Sequence, residues 1–268
     1  MRLREPPFFA TIVFLNRYER IFSLLKSLST GAAQLIVTID GPAAAGKSTV
    51  ARTLAERLGF DYLDTGATYR AVTWKAIREN VDFDSPRRLA EVTADAEIRF
   101  ERTDGELRIF CDGENVTRKI RRPEVTEKVR HVADEPAIRE VLIELQRDYA
   151  RGHDVVTEGR DQGTEVFPRA DLKFYLDASA EARARRRHQD LAGTDLQQNH
   201  EDVLASIRRR DRQDRSRKMG GLRCAEDMIV IDSTDLTVQE VVDRMERHVR
   251  AKRTDSEQAV RSDAERTA

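Results

Sequence analysis

The sequence predicts an α/β fold: a parallel β-sheet core flanked by helices on both faces, with a small antiparallel β insert. Three observations predict it. Short, dense apolar runs of strand length recur between residues 35 and 250, helical stretches separate them, and residues 95–117 switch to alternating apolar and polar positions. A chain of 268 residues is long enough to bury a proper core in one large or two modest domains.

The first strand is Leu35-Ile36-Val37-Thr38-Ile39, a buried run that stops at Asp40-Gly41-Pro42. A helix follows with Val50, Leu54 and Leu58 on one face, and Gly59 is placed to end it. A second strand is expected just before Leu63-Asp64. In the insert, Ala96, Ile98 and Phe100 alternate on one side of Thr103-Asp104-Gly105, and Leu107, Ile109 and Cys111 on the other. That pattern is an antiparallel hairpin and marks a small subdomain. Pro136 opens a helix whose Ile138, Val141, Leu142, Leu145 and Tyr149 face the core. Strands at 154–157, 172–176 and 228–231 complete the sheet.

The two ends read differently. In residues 1–34, five basic side chains (Arg2, Arg4, Arg17, Arg20, Lys26) outweigh Glu5 and Glu19, and a flexible extension is expected there, with an amphipathic stretch at 18–28. No small-residue cleavage site follows Phe8–Leu15; Asn16-Arg17-Tyr18-Glu19 stands there instead. That apolar run is also far short of the roughly 20 residues that span a bilayer, so no membrane segment is expected. Residues 251–268 have no large hydrophobe except Val260 and are expected to be a disordered tail.

Charged residues make up 35% of the chain, against about 25% for ordinary soluble domains. The 47 basic and 48 acidic side chains nearly cancel, to a net charge of -1, so no global field gathers nucleic acid or anionic membrane. Any anion recognition must come from local arginine clusters. Cys111 and Cys224 form neither a CxxC pair nor a disulfide framework, which favours a reducing, cytoplasmic compartment and argues against structural zinc.

Gly41, Pro42, Ala43, Ala44, Ala45, Gly46, Lys47 and Ser48, followed by Thr49, satisfy GxxxxGK[ST] directly between a strand and an amphipathic helix. In this P-loop context the backbone N–H groups and helix N-terminus present positive charge to phosphates. The Lys47 ammonium can bridge the β- and γ-phosphates, and the Ser48 hydroxyl is placed to ligate Mg²⁺. GTPases and transport ATPases share the loop, but no NKxD guanine-reading motif occurs.

Four further clusters carry candidate chemistry. Leu63 to Arg70 places Thr65 and, five residues later, Arg70 after the second strand. Glu158-Gly159-Arg160-Asp161-Gln162-Gly163-Thr164 falls at a strand C-terminal end, where open α/β sheets bind ligands. In Arg208 to Arg217, helical spacing puts Arg210, Asp214 and Arg217 on one face, so that the acid can orient guanidinium groups toward one polyanion. That stretch also reads as a solvated, salt-bridged helix surface or as an RNA-binding segment. Arg139, near a helix start, sits where the helix dipole does not favour a structural cation. Phosphoryl transfer between two anions needs positioning and charge neutralisation, which guanidinium forks supply. A P-loop with dispersed arginines therefore suggests a small-molecule kinase. His131, His153 and His188 are given no catalytic proton, since a phosphate acceptor is already ionised at pH 7.

These segments resemble the bacterial cytidylate kinases, P-loop nucleoside-monophosphate kinases. The likeness is carried by residues 38–49, 63–70, 159–164, 166–173 and the arginine-aspartate stretch ending at Arg217, and covers roughly residues 35–250. It implies transfer of the ATP γ-phosphoryl group to CMP or dCMP with Mg²⁺, by a monomer acting on small molecules and on neither nucleic acid nor membrane. It also implies a kinase domain over 35–250 with an acceptor-binding subdomain, enlarged by the insert at about 95–117, and a short helical LID at about 183–220. Thr65 falls among the acceptor-binding residues. Arg70 and Arg160 would hold the acceptor phosphate, and Asp161 would take the cytosine amino group with Arg139 against the base. Asp214, oriented with Arg210, would meet the sugar hydroxyl, and Arg217 would reach the transferred phosphoryl group, with Lys47 and Arg160 also acting on it.

The base assignment has independent physical sense. Cytosine presents an NH₂ donor where uracil presents a carbonyl, so an acceptor-only carboxylate favours cytosine. Two departures from the family pattern stand out: Arg130 in place of a serine against the base, and Glu158 where Asp is frequent. Three readings stay open beside each other: a cytidylate kinase, a P-loop kinase for another acceptor such as UMP, AMP or shikimate, and a nucleotide-dependent RNA-binding protein using the 183–187 and 208–217 arginines.

Overall fold

A computed structural model of the chain describes residues 34–103, 106–191 and 199–267. The expected extension at 1–34, apart from Gln34, lies outside the described residues, as do the hairpin tip at 104–105 and residues 192–198 of the expected LID.

Among the described residues, five parallel strands form one sheet in the order β2-β6-β1-β7-β8. They are β1 (Ile36–Asp40), β2 (Asp61–Asp64), β6 (Val155–Gly159), β7 (Leu172–Asp177) and β8 (Ile229–Asp232). The alternation of β1 decides which layer each residue enters. Leu35, Val37 and Ile39 pack with Val156, Phe174 and Leu176 beneath α1 (Lys47–Leu58) and α8 (Val238–Thr267), which contribute Val50, Leu54, Val242 and Met245. On the opposite face Leu63, Val155, Val166 and Phe167 pack with Ile36, Ile143 and Tyr149. Each fully buried Leu, Ile or Phe contributes about 1.5–3 kcal/mol.

A second core belongs to the middle of the chain. It gathers Val72 and Trp74 of α2 (Thr65–Arg78), Leu89 and Val92 of α3 (Pro86–Ala94), Val125 and Val132 of α4 (Pro123–Ala133), and Ile138 and Leu142 of α5 (Pro136–Ala150). Ile98, Ile109 and Cys111 join it from an antiparallel sheet of β3 (Ile98–Thr103), β4 (Glu106–Cys111) and β5 (Glu114–Asn115). The hairpin predicted at 95–117 is thus one wall of a larger unit that also includes α2 to α5. Buried Lys75, bonded to Asp112 at 2.6 Å, fastens the hairpin to α2.

Helices α6 (Ala180–Leu191) and α7 (His200–Ser216) pair through Ala184, Val203 and Ile207. The expectation of a disordered tail from 251 is corrected: α8 continues unbroken to Thr267. Low hydrophobicity argues against a packed core, but this segment has no Gly or Pro and is rich in Ala, Arg, Lys and Glu, which favour helix even when exposed. Residues 251–255 are exposed, and the last side chain of α8 in the main core is Val249.

Candidate active site

Register brings three strand ends level. Asp64 pairs with Glu158, and Asp40 with Gly159, so the loops after β1, β2 and β6 leave the sheet side by side at its carboxyl edge. Every sequence-predicted site residue lies on these loops or on the helices that follow them, except Arg139 on α5 and the three residues at the end of α7.

Residues 41–46 form the tight turn into α1. Gly41 has φ +154°, and a Cβ there would overlap the carbonyl oxygen of Leu176 on β7, so the loop can lie this close to the sheet only with glycine. Ala44 takes a left-handed φ of 60° without being glycine. The Lys47 side chain is buried, and its Nζ donates to the carbonyl of Pro42 at 2.8 Å. Ser48 is exposed at the mouth of the loop, and its hydroxyl donates to Glu158 Oε1 at 2.6 Å. This pair sets two oxygen donors, one of them a carboxylate, beside the phosphate cradle.

The arginines converge on the same edge. Arg160 donates from Nε to Asp214 Oδ2 at 2.8 Å, joining the loop after β6 to α7. Asp214 also pairs with Arg217 Nη1 at 3.4 Å, and Arg217 Nε meets Asp134 at 2.8 Å. Arg70 donates to Thr126 Oγ1 at 2.9 Å and to the Ile120 carbonyl. Arg121, from the turn after β5, pairs with Asp64.

On the face expected to carry Arg210, Asp214 and Arg217, the buried Asp214 carboxylate pairs with Arg160 and Arg217, and among the described residues no ion pair joins it to Arg210. The hydroxyl of buried Thr65 donates to the carbonyl of Glu158 at 2.8 Å, tying α2 to the end of β6.

The electrostatics register an excess of positive charge. Burial, and then the neighbouring Arg160, push the Lys47 ammonium down to about 7. Arg210 is exposed as a residue, yet its guanidinium is crowded; burial and then Arg160, with Arg70 and Arg217 adding to it, bring it to about 10. Burial and Arg121 lower Arg70. Asp214 moves the other way: burial would raise it, but Arg160, Arg217 and Arg210 outweigh that and hold it below the usual carboxylate range. Cations that depress one another in this way are disposed to receive anions.

Beside this cluster Arg139 and Asp161 form a buried ion pair, and Glu165 accepts from the same Nη2 at 3.2 Å. The Arg139 Nε is buried without a partner. Gly220, with φ +64°, lies directly on this guanidinium, where a side chain would collide with it, and its N–H donates to both oxygens of Glu165 at 2.8 Å. The segment after α7 thereby closes over the Arg139–Asp161 pair. Arg130 on α4 is exposed, and its side chain makes no hydrogen bond or ion pair among the described residues.

Sequence reasoning missed Asp40. Its fully buried carboxylate accepts from the N–H groups of Gln162 at 2.8 Å and Gly163 at 2.7 Å, which open a five-residue π-turn, Gln162–Val166. This carboxylate anchors the loop immediately after Arg160 and Asp161 to the end of β1. Burial, only partly offset by those two N–H groups, pushes it up to about 6. The available signal was an acid ending an otherwise apolar buried strand. Arg121 and Glu165 were missed as well; nothing in their local sequence distinguishes them from surface charges.

Comparison with known proteins agrees with this geometry. A family model described as cytidylate kinase matches residues 37–251. The cytidylate kinase of Caldanaerobacter subterraneus subsp. tengcongensis is 48% identical over 214 residues, which cover 80% of this chain and 94% of that protein. That of Pelotomaculum thermopropionicum is 50% identical over 209 residues, 77% of this chain and 92% of its own length. That of Rhodopirellula baltica is 45% identical over 216 residues, with 81% and 93% covered. The matched span contains all the site residues described above.

Proposed function

The chain belongs to the cytidylate kinase family, and from that premise we propose that it transfers the γ-phosphoryl group of ATP to CMP or dCMP, giving ADP and the diphosphate, at the carboxyl edge of the sheet. The observation that carries this reading is the convergence of Lys47, Arg70, Arg160, Arg210 and Arg217, whose mutual repulsion two phosphate-bearing substrates would relieve.

In this reading ATP lies in the 41–49 loop, where backbone N–H groups and Lys47 receive its phosphates. Arg70 and Arg160 hold the acceptor phosphate in line with the γ-phosphorus, and Arg160, Arg217 and Lys47 neutralise charge on the passing group. The acceptor oxygen is already ionised, so no side chain needs to remove a proton. Asp161, held by Arg139, accepts from the cytosine amino group, and the unpartnered Arg139 Nε offers a donor to the ring's acceptor edge. Asp214 and Arg210 receive the sugar hydroxyl. Helices α2 to α5 act as the acceptor-binding subdomain, and α6 and α7 as the LID.

The oxygen donors fit Mg²⁺, a hard cation that keeps several waters and phosphate oxygens around it. Ser48 would ligate it and Glu158 would hold its water shell, and the bound ion would supply further neutralisation of phosphate charge. This reading draws every site residue from one chain and takes the enzyme to act as a monomer. No helix among the described residues is long and apolar enough to cross a membrane. The free thiols of Cys111 and Cys224 support placing the enzyme in a reducing compartment, the cytoplasm.

Arg70→Ala and Asp161→Asn test the assignment. Losing the Arg70 guanidinium should raise KM for CMP about 10- to 100-fold with KM for ATP little changed. Asp161→Asn adds a donor where uracil has a carbonyl, and the CMP-over-UMP ratio of kcat/KM should fall about tenfold or more. Unchanged acceptor constants in both variants would place the acceptor elsewhere.

A further inference from the structure

The arginines at 183–187 drew notice in the sequence, but the reaction above leaves them without a role. Arg183 on α6 is buried, and all three nitrogens of its guanidinium donate hydrogen bonds. Its Nη1 and Nη2 grip Asp211 of α7 side by side at 2.9 and 2.7 Å, Nε donates to the Ala178 carbonyl at 2.9 Å, and Nη1 also donates to the Ala43 carbonyl at 3.1 Å. The last bond reaches into the phosphate loop, one residue before the left-handed Ala44. Asp211 sits beside Arg210 in sequence and shares a buried face of α7 with Val203, Ile207 and Asp214. One guanidinium therefore touches the ATP cradle with one edge and, with the other, the helix that carries Arg210, Asp214 and Arg217.

We propose that the Arg183–Asp211 pair is a positioning device that couples the shape of the phosphate loop to the rotation and height of α7, so that the donor cradle and the transfer arginines move as one unit. The fork geometry is what makes the coupling specific. Two parallel bonds fix the orientation of Asp211, and with it the direction in which the residues one and two turns later project. The third bond fixes the Ala43 peptide, whose orientation sets the direction of the following N–H groups. An exposed pair, Arg208–Glu181, spans the same two helices at 2.7 Å without touching the loop. It supplies an internal control for helix packing alone.

This inference rests on the reading of residues 41–49 as the ATP site, and its test reads ATP binding with no acceptor present. Mg-ATP affinity is measured by calorimetry for wild type, Asp211→Asn, Arg183→Lys and Arg208→Ala, at a temperature where circular dichroism shows each to be folded. The Asp211 carboxylate hydrogen-bonds Arg183 and not the loop, yet Asp211→Asn should weaken Mg-ATP about tenfold, as should Arg183→Lys, while Arg208→Ala binds as wild type. In turnover the first two should show a raised KM for ATP and a lowered kcat, with KM for CMP within about twofold of wild type. A pair that only holds the fold together would lower Tm and leave Mg-ATP affinity and kcat unchanged, and that result in either folded variant overturns the proposal. If wild type binds no Mg-ATP, the ATP site and the coupling fall together. If it binds Mg-ATP but phosphorylates no cytidine nucleotide, only the acceptor assignment falls, and the binding comparison still decides the coupling.

Discussion

Lys47 shows how much of the site's behaviour is set by single groups. Its ammonium is brought down to about 7 by burial and Arg160, so that near neutral pH its charged and uncharged forms are of comparable weight. Nucleotide phosphates arriving beside it favour the charged form, so Mg-ATP binding at pH 7 should take up about half a proton from solution. Calorimetric enthalpies in buffers of different ionisation enthalpy read this directly: wild type should show the dependence, and Lys47→Arg should not. A buffer-independent enthalpy in wild type would mean that the ammonium is fully charged before ATP arrives.

Asp40 predicts a second pH effect, of opposite origin. Its folded value of about 6 lies above the ordinary 3.8, so between these the native state holds more protons than the unfolded chain. The stability from this group is therefore greatest at low pH and declines as pH rises toward 6. Function follows the other branch, because only the carboxylate receives both the Gln162 and Gly163 N–H groups at full strength. In wild type kcat should fall as pH drops below about 6, and Asp40→Asn should be slow throughout and lack that acid limb. Equal acid limbs in the two would assign the titration to another group. Of these two residues only Lys47 was legible in the sequence, because its chemistry belongs to a contiguous motif. Asp40 acts on residues 122 and 123 positions away, and no local pattern encodes that distance.

At the scale of elements, legibility followed periodicity. Four of the five parallel strands and α1 announce themselves by apolar spacing, and the hairpin by alternation between β3 and β4, whereas β2, Asp61–Asp64, has no apolar run of its own. The π-turn at 162–166 has no such signature; it forms because a buried carboxylate on another strand collects its N–H groups. Helix α8 failed the sequence reading for a different reason. After Val249 its only large hydrophobe is Val260, yet the helix propensity of its Ala, Arg, Lys and Glu residues is sufficient to continue it. Since the packed part ends at Val249, removing residues 252–268 should leave kcat unchanged and lower Tm by less than about 3 °C, by differential scanning fluorimetry. A larger loss would mean that the tail packs on the domain.

At the scale of the molecule, two cores and a pair of helices surround one cationic edge. The sheet fixes the donor loop, the second core carries Arg70 and Arg139, and α7 brings Arg210, Asp214 and Arg217. Cross-links that join these parts run through the site itself: Arg160 to Asp214, Arg217 to Asp134, and Gly220 to Glu165. The sequence disclosed the residues but not these partnerships, which depend on the folded distance between segments far apart in the chain. Such an arrangement suits phosphoryl transfer between two anions, the chemistry of the family to which the chain belongs.

The most direct test is an acceptor panel with purified protein and Mg-ATP, in which CMP, dCMP, UMP, AMP and GMP are offered in turn and ADP formation is followed. CMP and dCMP should be phosphorylated at kcat/KM values about tenfold or more above UMP, with the purine nucleotides near background. UMP turned over as well as CMP would contradict the role given to Asp161 and Arg139 and would point to Arg130 as the group that reshapes the base wall; a purine preference would contradict the account as a whole.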